Sequence, residues 1–371
     1  MYIEIFWRFS SKRSYRSKKT FKRIGVLTSG GDAPGMNAAV RAVTRLAIAK
    51  GVEVMGIYNG YQGLIDGEIK PLHARDVSYI INRGGTMLYT ARSAEFRTAE
   101  GVAKAADVCR QNGIDGIVAI GGDGTFRGAV DLTDAGIPCI GIPGTIDNDI
   151  ASTDMTIGFD TAMNTVVELV DKLRDTGESH ARCNVVEVMG REAGDIALNT
   201  SIAAGAVTAV IKEIPTDFEY LFHKMDEARR NGKRNFIIIT CEGMGPGYSE
   251  QLCKTIEEKT GIETRLARLA HVQRGGSPTL RDRVLATQMG CAAVESLVAG
   301  QMKRVVCLRD NSIITMDIHE ALLLDKMMKN TLTPEEREQI APNALFDMTT
   351  RIAEMQAYKQ YLNYIIDHMA L

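Results

Sequence analysis

The 371-residue sequence has no run of eighteen uninterrupted apolar residues, so no segment reads as a membrane span. It has no CxxC pair: seven cysteines stand singly at 109, 139, 183, 241, 253, 291 and 307. That pattern excludes a disulfide framework and a zinc ribbon, and fits reduced, buried thiols in a cytoplasmic chain. It has no excess of charge, with 44 Lys and Arg against 46 Asp and Glu, so no global field draws it to nucleic acid. Neither GxxxxGK[ST] nor GxGxxG occurs, which removes support for two common nucleotide folds. What remains is an ordinary soluble composition, 45% hydrophobic and 24% charged, long enough for two domains and rich in glycine.

Charge is unevenly spread. Residues 1–23 hold eight basic residues against Glu4 alone, leaving −9 for residues 24–371. The Ser- and Arg-rich start lacks the apolar stretch of a secretory signal. It is read as an unstructured basic extension over 1–21 or the product of an upstream start codon.

Beyond it the pattern becomes regular. Apolar, β-branched runs lie at Ile24–Thr28, Val54–Tyr58, Gly116–Ile120, Cys139–Ile142, Val185–Met189, Ala209–Lys212, Phe236–Cys241 and Arg304–Cys307. Helical spacing fills Met36–Lys50, Thr98–Gln111, Thr161–Arg174 and Asp282–Ala299 between them. Eight strands alternating with helices predict an α/β chain with largely parallel, covered sheets. Thr333-Pro334-Glu335-Glu336 reads as a capping box with proline at the first helical position. Ile352, Met355, Leu362, Ile365, Ile366 and Met369 then recur at helical spacing, as in a packing helix.

Ligands of open α/β sheets bind at the carboxyl ends of strands. Three predicted strands end in glycine plus acid: Ser29-Gly30-Gly31-Asp32, Gly121-Gly122-Asp123-Gly124-Thr125 and Pro143-Gly144-Thr145-Ile146-Asp147-Asn148-Asp149. Glycine lets an anion approach backbone N–H groups, and a following helix adds its dipole. A carboxylate beside phosphate needs a divalent cation between them, so Gly plus Asp suggests a Mg²⁺–nucleotide site. In an extended segment Thr145, Asp147 and Asp149 share one face, which suits one carboxylate as general base and the other as metal or water partner. The alternative is an Asx-rich turn held by its own side chains. The second half adds cations at glycine turns: Met189-Gly190-Arg191 and His271-Val272-Gln273-Arg274-Gly275-Gly276, with Arg182 and Arg265 nearby. Guanidinium forks at such turns suit a sugar phosphate.

The motifs IGVLTSGGDAPGMNAAVRA, IGGDGTFRGA, PGTIDNDI, VVEVMGREAGD and HVQRGGSPT occur in this order from Lys22 onward. Together they resemble the bacterial-type ATP-dependent 6-phosphofructokinases, over more than four fifths of the chain. The resemblance implies two similar three-layer α/β/α domains with the active site in the cleft between them. Residues 22–158 plus 273–323 would bind ATP and 159–272 plus 324–332 fructose 6-phosphate, leaving 333–371 as a helical extension. ATP would be held by Gly31, Arg92, Ser93, Gly122, Asp123, Gly124 and Thr125, with Asp123 on Mg²⁺. Asp147 would take the proton of the sugar 1-hydroxyl, with Thr145 and Asp149 positioning substrate and metal. Arg92 and Arg191 would carry transition-state charge. Met189, Gly190, Arg191 and Glu242 would line the sugar site, and Arg182, Arg265, His271 and Arg274 the 6-phosphate. Arg182 and Arg265 would act across a subunit boundary, which implies a homotetramer with shared sites.

Pyrophosphate-using relatives tend to carry Asp at the position of Gly124 and Lys at that of Gly144, so the two glycines point to ATP. Arg41, Arg45, Arg174 and Lys233 match a regulatory site for ADP or phosphoenolpyruvate. Val207, Asn231, Ala74 and Tyr79 depart from it, and blunted regulation is expected. Gly-Gly-Asp-Gly-Thr alone also occurs in NAD and lipid kinases, and a catalytically silent nucleotide-binding subunit is a further reading. Neither explains the arginine set together with an intact Asp123, Asp147 and Arg191.

Overall fold

A computed structural model describes residues 21–369, and the basic extension lies outside them except for its expected last residue. That residue, Phe21, is buried against Gly116 and Leu297, so the folded chain starts one residue earlier than expected.

The first half runs β1 (Arg23–Thr28), α1 (Met36–Ala49), β2 (Glu53–Ile57), α2 (Gly60–Asp66), β3 (Ile69–Leu72), α3 (Ala99–Gln111), β4 (Gly116–Gly121), α4 (Asp123–Asp134) and β5 (Cys139–Pro143). Then follow α5 (Phe159–His180), β6 (Cys183–Val188), α6 (Asp195–Ala203), β7 (Thr208–Val210), α7 (Phe218–Arg230), β8 (Phe236–Cys241), α8 (Tyr248–Thr260), β9 (Thr264–Arg268) and α9 (Leu280–Val298). The chain ends with β10 (Arg304–Arg309), β11 (Ser312–Asp317), α10 (Ile318–Met328), α11 (Pro334–Gln339) and α12 (Pro342–Met369).

The strands form a large sheet ordered β11-β10-β5-β4-β1-β2-β3 and a small one ordered β7-β8-β6-β9. The small sheet is wholly parallel; the large one is parallel except at β11 and β3. Strands expected from sequence are present, and β3, β9 and β11 are additional. All three are edge strands. An edge strand is partly solvated, so Ile69-Lys70-Pro71-Leu72 and Thr264-Arg265-Leu266-Ala267-Arg268 lack the continuous apolar run that marks a covered one.

Alternate side chains of each central strand feed opposite layers. In the large sheet Ile24, Val26, Val118 and Ile120 meet α1 and α9, while Leu27, Ile117 and Ala119 meet α3, α4 and α10. In the small sheet Val186, Val188, Ile237 and Ile239 pack toward α5 and α6, while Val185 and Ile238 pack toward α7 and α8. Both bodies are therefore three-layer α/β/α units, as the motifs imply. Helix starts are set locally: Thr98, Asp217 and Thr279 each accept a backbone N–H in the first turn of α3, α7 and α9.

The chain leaves the large sheet before α5 and returns to it at α9. Asp282 of α9, fully buried, accepts from the Gly158 and Thr161 N–H groups at 2.8 Å each and from Thr161 Oγ1 at 2.5 Å. One carboxylate so pins both crossings. The capping box at Thr333 and Glu336 is formed. The helix it starts is short, because Pro342 opens a new one: α12 runs about 42 Å at about 1.5 Å per residue. It packs on α6 and β7, burying Leu362 and Ile366, and on α10, burying Ile352, while Met369 stays exposed. The expected division at 323/324 falls inside α10, which lies as one helix against α4.

Candidate active site

The strand order of the large sheet reverses between β1 and β4, the position where a doubly wound sheet opens a ligand crevice. Ser29-Gly30-Gly31 follows β1 there, and Gly122 to Thr125 start α4 after β4. Gly122 and Gly124 have open space where a Cβ would stand, so an anion can approach the N–H groups of this helix start. Gly31 faces Arg274: a Cβ there would lie 2.5 Å from Nη1 of the guanidinium, which donates to the Asp32 carbonyl at 3.2 Å. Thr125 is buried, its hydroxyl 3.2 Å from the Ser29 carbonyl. Ser93 accepts from the Phe96 N–H and donates to Gln62 Oε1 at 2.7 Å, and Arg92 beside it is exposed.

Asp123 is paired with Arg127 at 2.5 Å. Burial pushes its carboxyl up, but Lys329 and Arg127 together hold it below the ordinary aspartate value. No group of three metal-ligating side chains is gathered among the described residues. A divalent ion here fits Asp123 plus phosphate oxygens, the usual Mg²⁺ arrangement, rather than a protein cage.

The acid segment after β5 is bent, not extended. Asn148 takes a left-handed φ of 52°, and the Asp147 N–H donates to Thr145 Oγ1 at 3.2 Å. The expected face shared by strand alternation is therefore replaced by a side-chain-braced turn, yet both acids still converge on one group. Arg191 Nε lies 3.2 Å from Asp147 Oδ2, and its Nη1 3.8 Å from Asp149 Oδ2. Asp147 is 0% exposed, and neither carboxylate oxygen has a hydrogen-bond partner. Burial first, then Asp149, raise its pKa against the pull of Arg274 and Arg191. A buried carboxylate of raised pKa with no hydrogen-bond donor, facing Arg191, is poised to accept a proton.

The facing wall comes from the carboxyl ends of β6, β8 and β9. Gly190 and Arg191 both have positive φ, 130° and 53°. An arginine held left-handed is strained, and Glu242 after β8 secures it by accepting the Arg191 N–H at 3.1 Å. The fully buried Gln273 accepts the Met189 N–H at 3.2 Å and so joins this turn to the loop bearing Arg274. His271 is exposed on the same loop.

Arg182 and Arg265 are not brought to this cleft. They stand at the start of β6 and β9 and both pair with Glu263. Arg182 is about 23 Å from Met189, seven residues along a strand at about 3.3 Å each. Of the regulatory set, Arg45 reaches the Ala74 carbonyl and Ser78 at 3.4 Å from α1, while Arg41 Nε is buried without a partner. Arg174 donates to Asn235 Oδ1 at 3.0 Å and to the Ala204 carbonyl. Burial and then Arg174 lower the pKa of Lys233, so these two cations are neighbours. Val207 is buried under α7.

Four residues of the site were not anticipated. Arg127 is legible in hindsight, four residues after Asp123 on α4. Lys329 Nζ lies 3.3 Å from Asp149 Oδ2, and Asp325 accepts the Ala151 N–H at 2.6 Å. Those two and Gln273 are joined to the site only by tertiary contact, with no local pattern to mark them.

The family model described as phosphofructokinase matches residues 23–297. The chain belongs to the phosphofructokinase family. A Clostridium tetani protein named ATP-dependent 6-phosphofructokinase is 54% identical over 304 residues, 82% of this chain and 95% of that one. A Bacillus subtilis protein of the same name is 54% identical over 301 residues, 81% and 94% of the two chains. A phosphofructokinase structure from Saccharomyces cerevisiae superposes with TM-score 0.79 at 35% identity; 89% of this chain matches 48% of that longer one. A pyrophosphate-dependent phosphofructokinase structure from Marinobacter aquaeolei shares the phosphofructokinase fold, with TM-score 0.73 at 22% identity over 88% and 91% of the chains. The two glycines read for donor choice differ in surroundings. Gly124 borders open space, whereas a Cβ on Gly144 would meet Ile120 and Met36 at 3.2 Å, so a lysine there requires the core to yield.

Proposed function

We propose that the chain transfers the γ-phosphoryl group of ATP to the 1-hydroxyl of fructose 6-phosphate, giving fructose 1,6-bisphosphate and ADP. The observation that carries this reading is the buried Asp147, without a hydrogen-bond donor and ion-paired with Arg191, where the carboxyl ends of two sheets meet. Relatives about 54% identical bear the ATP-dependent name, which favours ATP over pyrophosphate.

In this reading Gly31, Arg92, Ser93 and Gly122 to Thr125 hold the nucleotide. Asp123 holds Mg²⁺, which when bound screens the phosphate charge. Asp147 removes the hydroxyl proton as the oxygen attacks, and Arg92 and Arg191 stabilise charge on the transferred group. Thr145, Asp149, Met189, Gly190 and Glu242 shape the sugar site, and His271 and Arg274 receive the 6-phosphate. Arg182 and Arg265, remote from their own cleft, supply a neighbour's site in a homotetramer. Residues 22–158 with 273–323 carry the nucleotide and 159–272 with 324–332 the sugar phosphate, α10 lying across both. Arg41, Arg45, Arg174 and Lys233 form a weakened ADP or phosphoenolpyruvate site.

A cytoplasmic location is part of the reading. It is supported by cysteines that are all unpaired among the described residues and by the lack there of any helix long and apolar enough to cross a membrane.

The test is ADP formation with Mg²⁺ and ATP, with and without fructose 6-phosphate, beside a pyrophosphate control. Sugar-dependent ATP turnover is expected. Turnover with pyrophosphate alone would overturn the donor assignment, and ATP binding without turnover would favour a silent regulatory subunit.

A further inference from the structure

The C-terminal helix α12 lies outside the matched residues 23–297. One of its side chains nevertheless reaches the supports of the active site. Lys359, whose side chain is only 12% exposed, places Nζ 2.5 Å from Asp195 Oδ2 and 2.9 Å from Glu213 Oε1. Both acids act on the turn that carries Arg191. The same Glu213 oxygen accepts the Gly194 N–H at 2.8 Å, within the turn that begins at Gly190 and Arg191. Asp195 opens α6 directly after that turn. One ammonium thus holds the end of the turn that carries Arg191, whose guanidinium in turn reaches Asp147 and Asp149.

We propose that Lys359 is a positioning residue: a latch by which the C-terminal helix holds the 190–195 turn, and with it Arg191, in place beside the 147–149 turn. This rests on the phosphofructokinase reading above for its catalytic meaning, and on geometry alone for the latch. The physical basis is charge. Asp195 is largely buried beside the more exposed Glu213, and without a cation the two carboxylates repel one another and shed the contacts they make. Burial opposes the charge on Lys359, yet the two carboxylates hold its pKa above the ordinary lysine value. Displacement of reacting groups by about 1 Å can cost on the order of 10²-fold in rate.

The experiment compares the full chain with Lys359→Met and Lys359→Arg by hydrogen exchange and by steady-state kinetics. For Lys359→Met, exchange should quicken in peptides spanning 190–195 and 146–150 while β1 and β4 keep their protection. The turnover number should fall on the order of 10²-fold. The KM for ATP should hold, because no contact of Lys359 reaches Gly122 to Thr125. Lys359→Arg should restore both readouts. Unchanged exchange in the two peptides, equal quickening in β1 and β4, or a freed turn with full turnover would each overturn the latch. If the wild-type chain makes no ADP while Lys359→Met still frees both turns, the latch stands and the catalytic reading falls.

Discussion

Replacing Asp147 by Asn separates chemistry from stability at one residue. The amide keeps the size of the side chain but cannot accept a proton. A positioned general base contributes about 10²–10⁴ in rate, equivalent to about 3–5 kcal/mol of barrier. Turnover of Asp147→Asn should fall by that factor while the KM for fructose 6-phosphate changes little, since the base acts on the transition state. Stability should move the other way. The carboxyl is 0% exposed, accepts no hydrogen bond, and is raised in pKa by burial and by Asp149 despite Arg274 and Arg191. A folded pKa above the unfolded one means the ionised group costs stability at every pH above the unfolded value, near 3.9. Asp147→Asn should therefore be at least as stable as the wild type at pH 7–8, an advantage that shrinks as pH falls toward 4. Coupled ADP assays and urea unfolding at both ends of that range measure the two effects. Turnover within tenfold of wild type, or a rate loss matched by a stability loss, would refute the assignment.

Gly124→Asp projects into open space at a helix start that tolerates acid, so the thermal midpoint should hold. Its charge beside the triphosphate should lower kcat/KM for ATP by about a hundredfold, like charges in contact costing several kcal/mol; retained ATP use would show that the position does not select the donor. Arg182→Ser should raise the KM for fructose 6-phosphate by about 10–100-fold, the range of a lost charged hydrogen bond. Mixing it with Asp147→Asn and allowing subunit exchange should recover activity in hybrid sites, and no recovery would confine Arg182 to its own chain. Asp325 is pushed up to about 7 by burial, so its stability cost grows as pH rises from about 4 to 7. Asp325→Asn should flatten that slope in unfolding measurements, and an unchanged slope would place the titration elsewhere.

The covered strands and long helices were legible because burial on both faces writes an apolar run into the chain, as at Gly116–Ile120. The edge strands β3, β9 and β11 were not, since solvent takes part of their surface. The three glycine turns do stand at the carboxyl ends of β1, β4 and β5, although the acid turn is bent rather than extended. Gln273, Asp325 and Lys329 escaped because their partners lie up to 180 residues away and share no period with them. The remoteness of Arg182 from Arg191 followed only from seeing that they cap opposite ends of one strand.

The order in which the sheets are filled bears on how the chain is made. β5 is complete by Pro143, but its outer neighbour β10 begins at Arg304, and α6 waits for α12, which begins at Pro342. A ribosome therefore releases the large sheet unfinished until β10 and β11 emerge and the small-sheet body unfinished until α12 does, and meanwhile one side of β5 is bare. Folding that closes through such distant pairings is slow, and unpaired edges invite aggregation during synthesis. Truncation within the final helices should thus appear first as loss of soluble yield, before any assay of the cleft is possible.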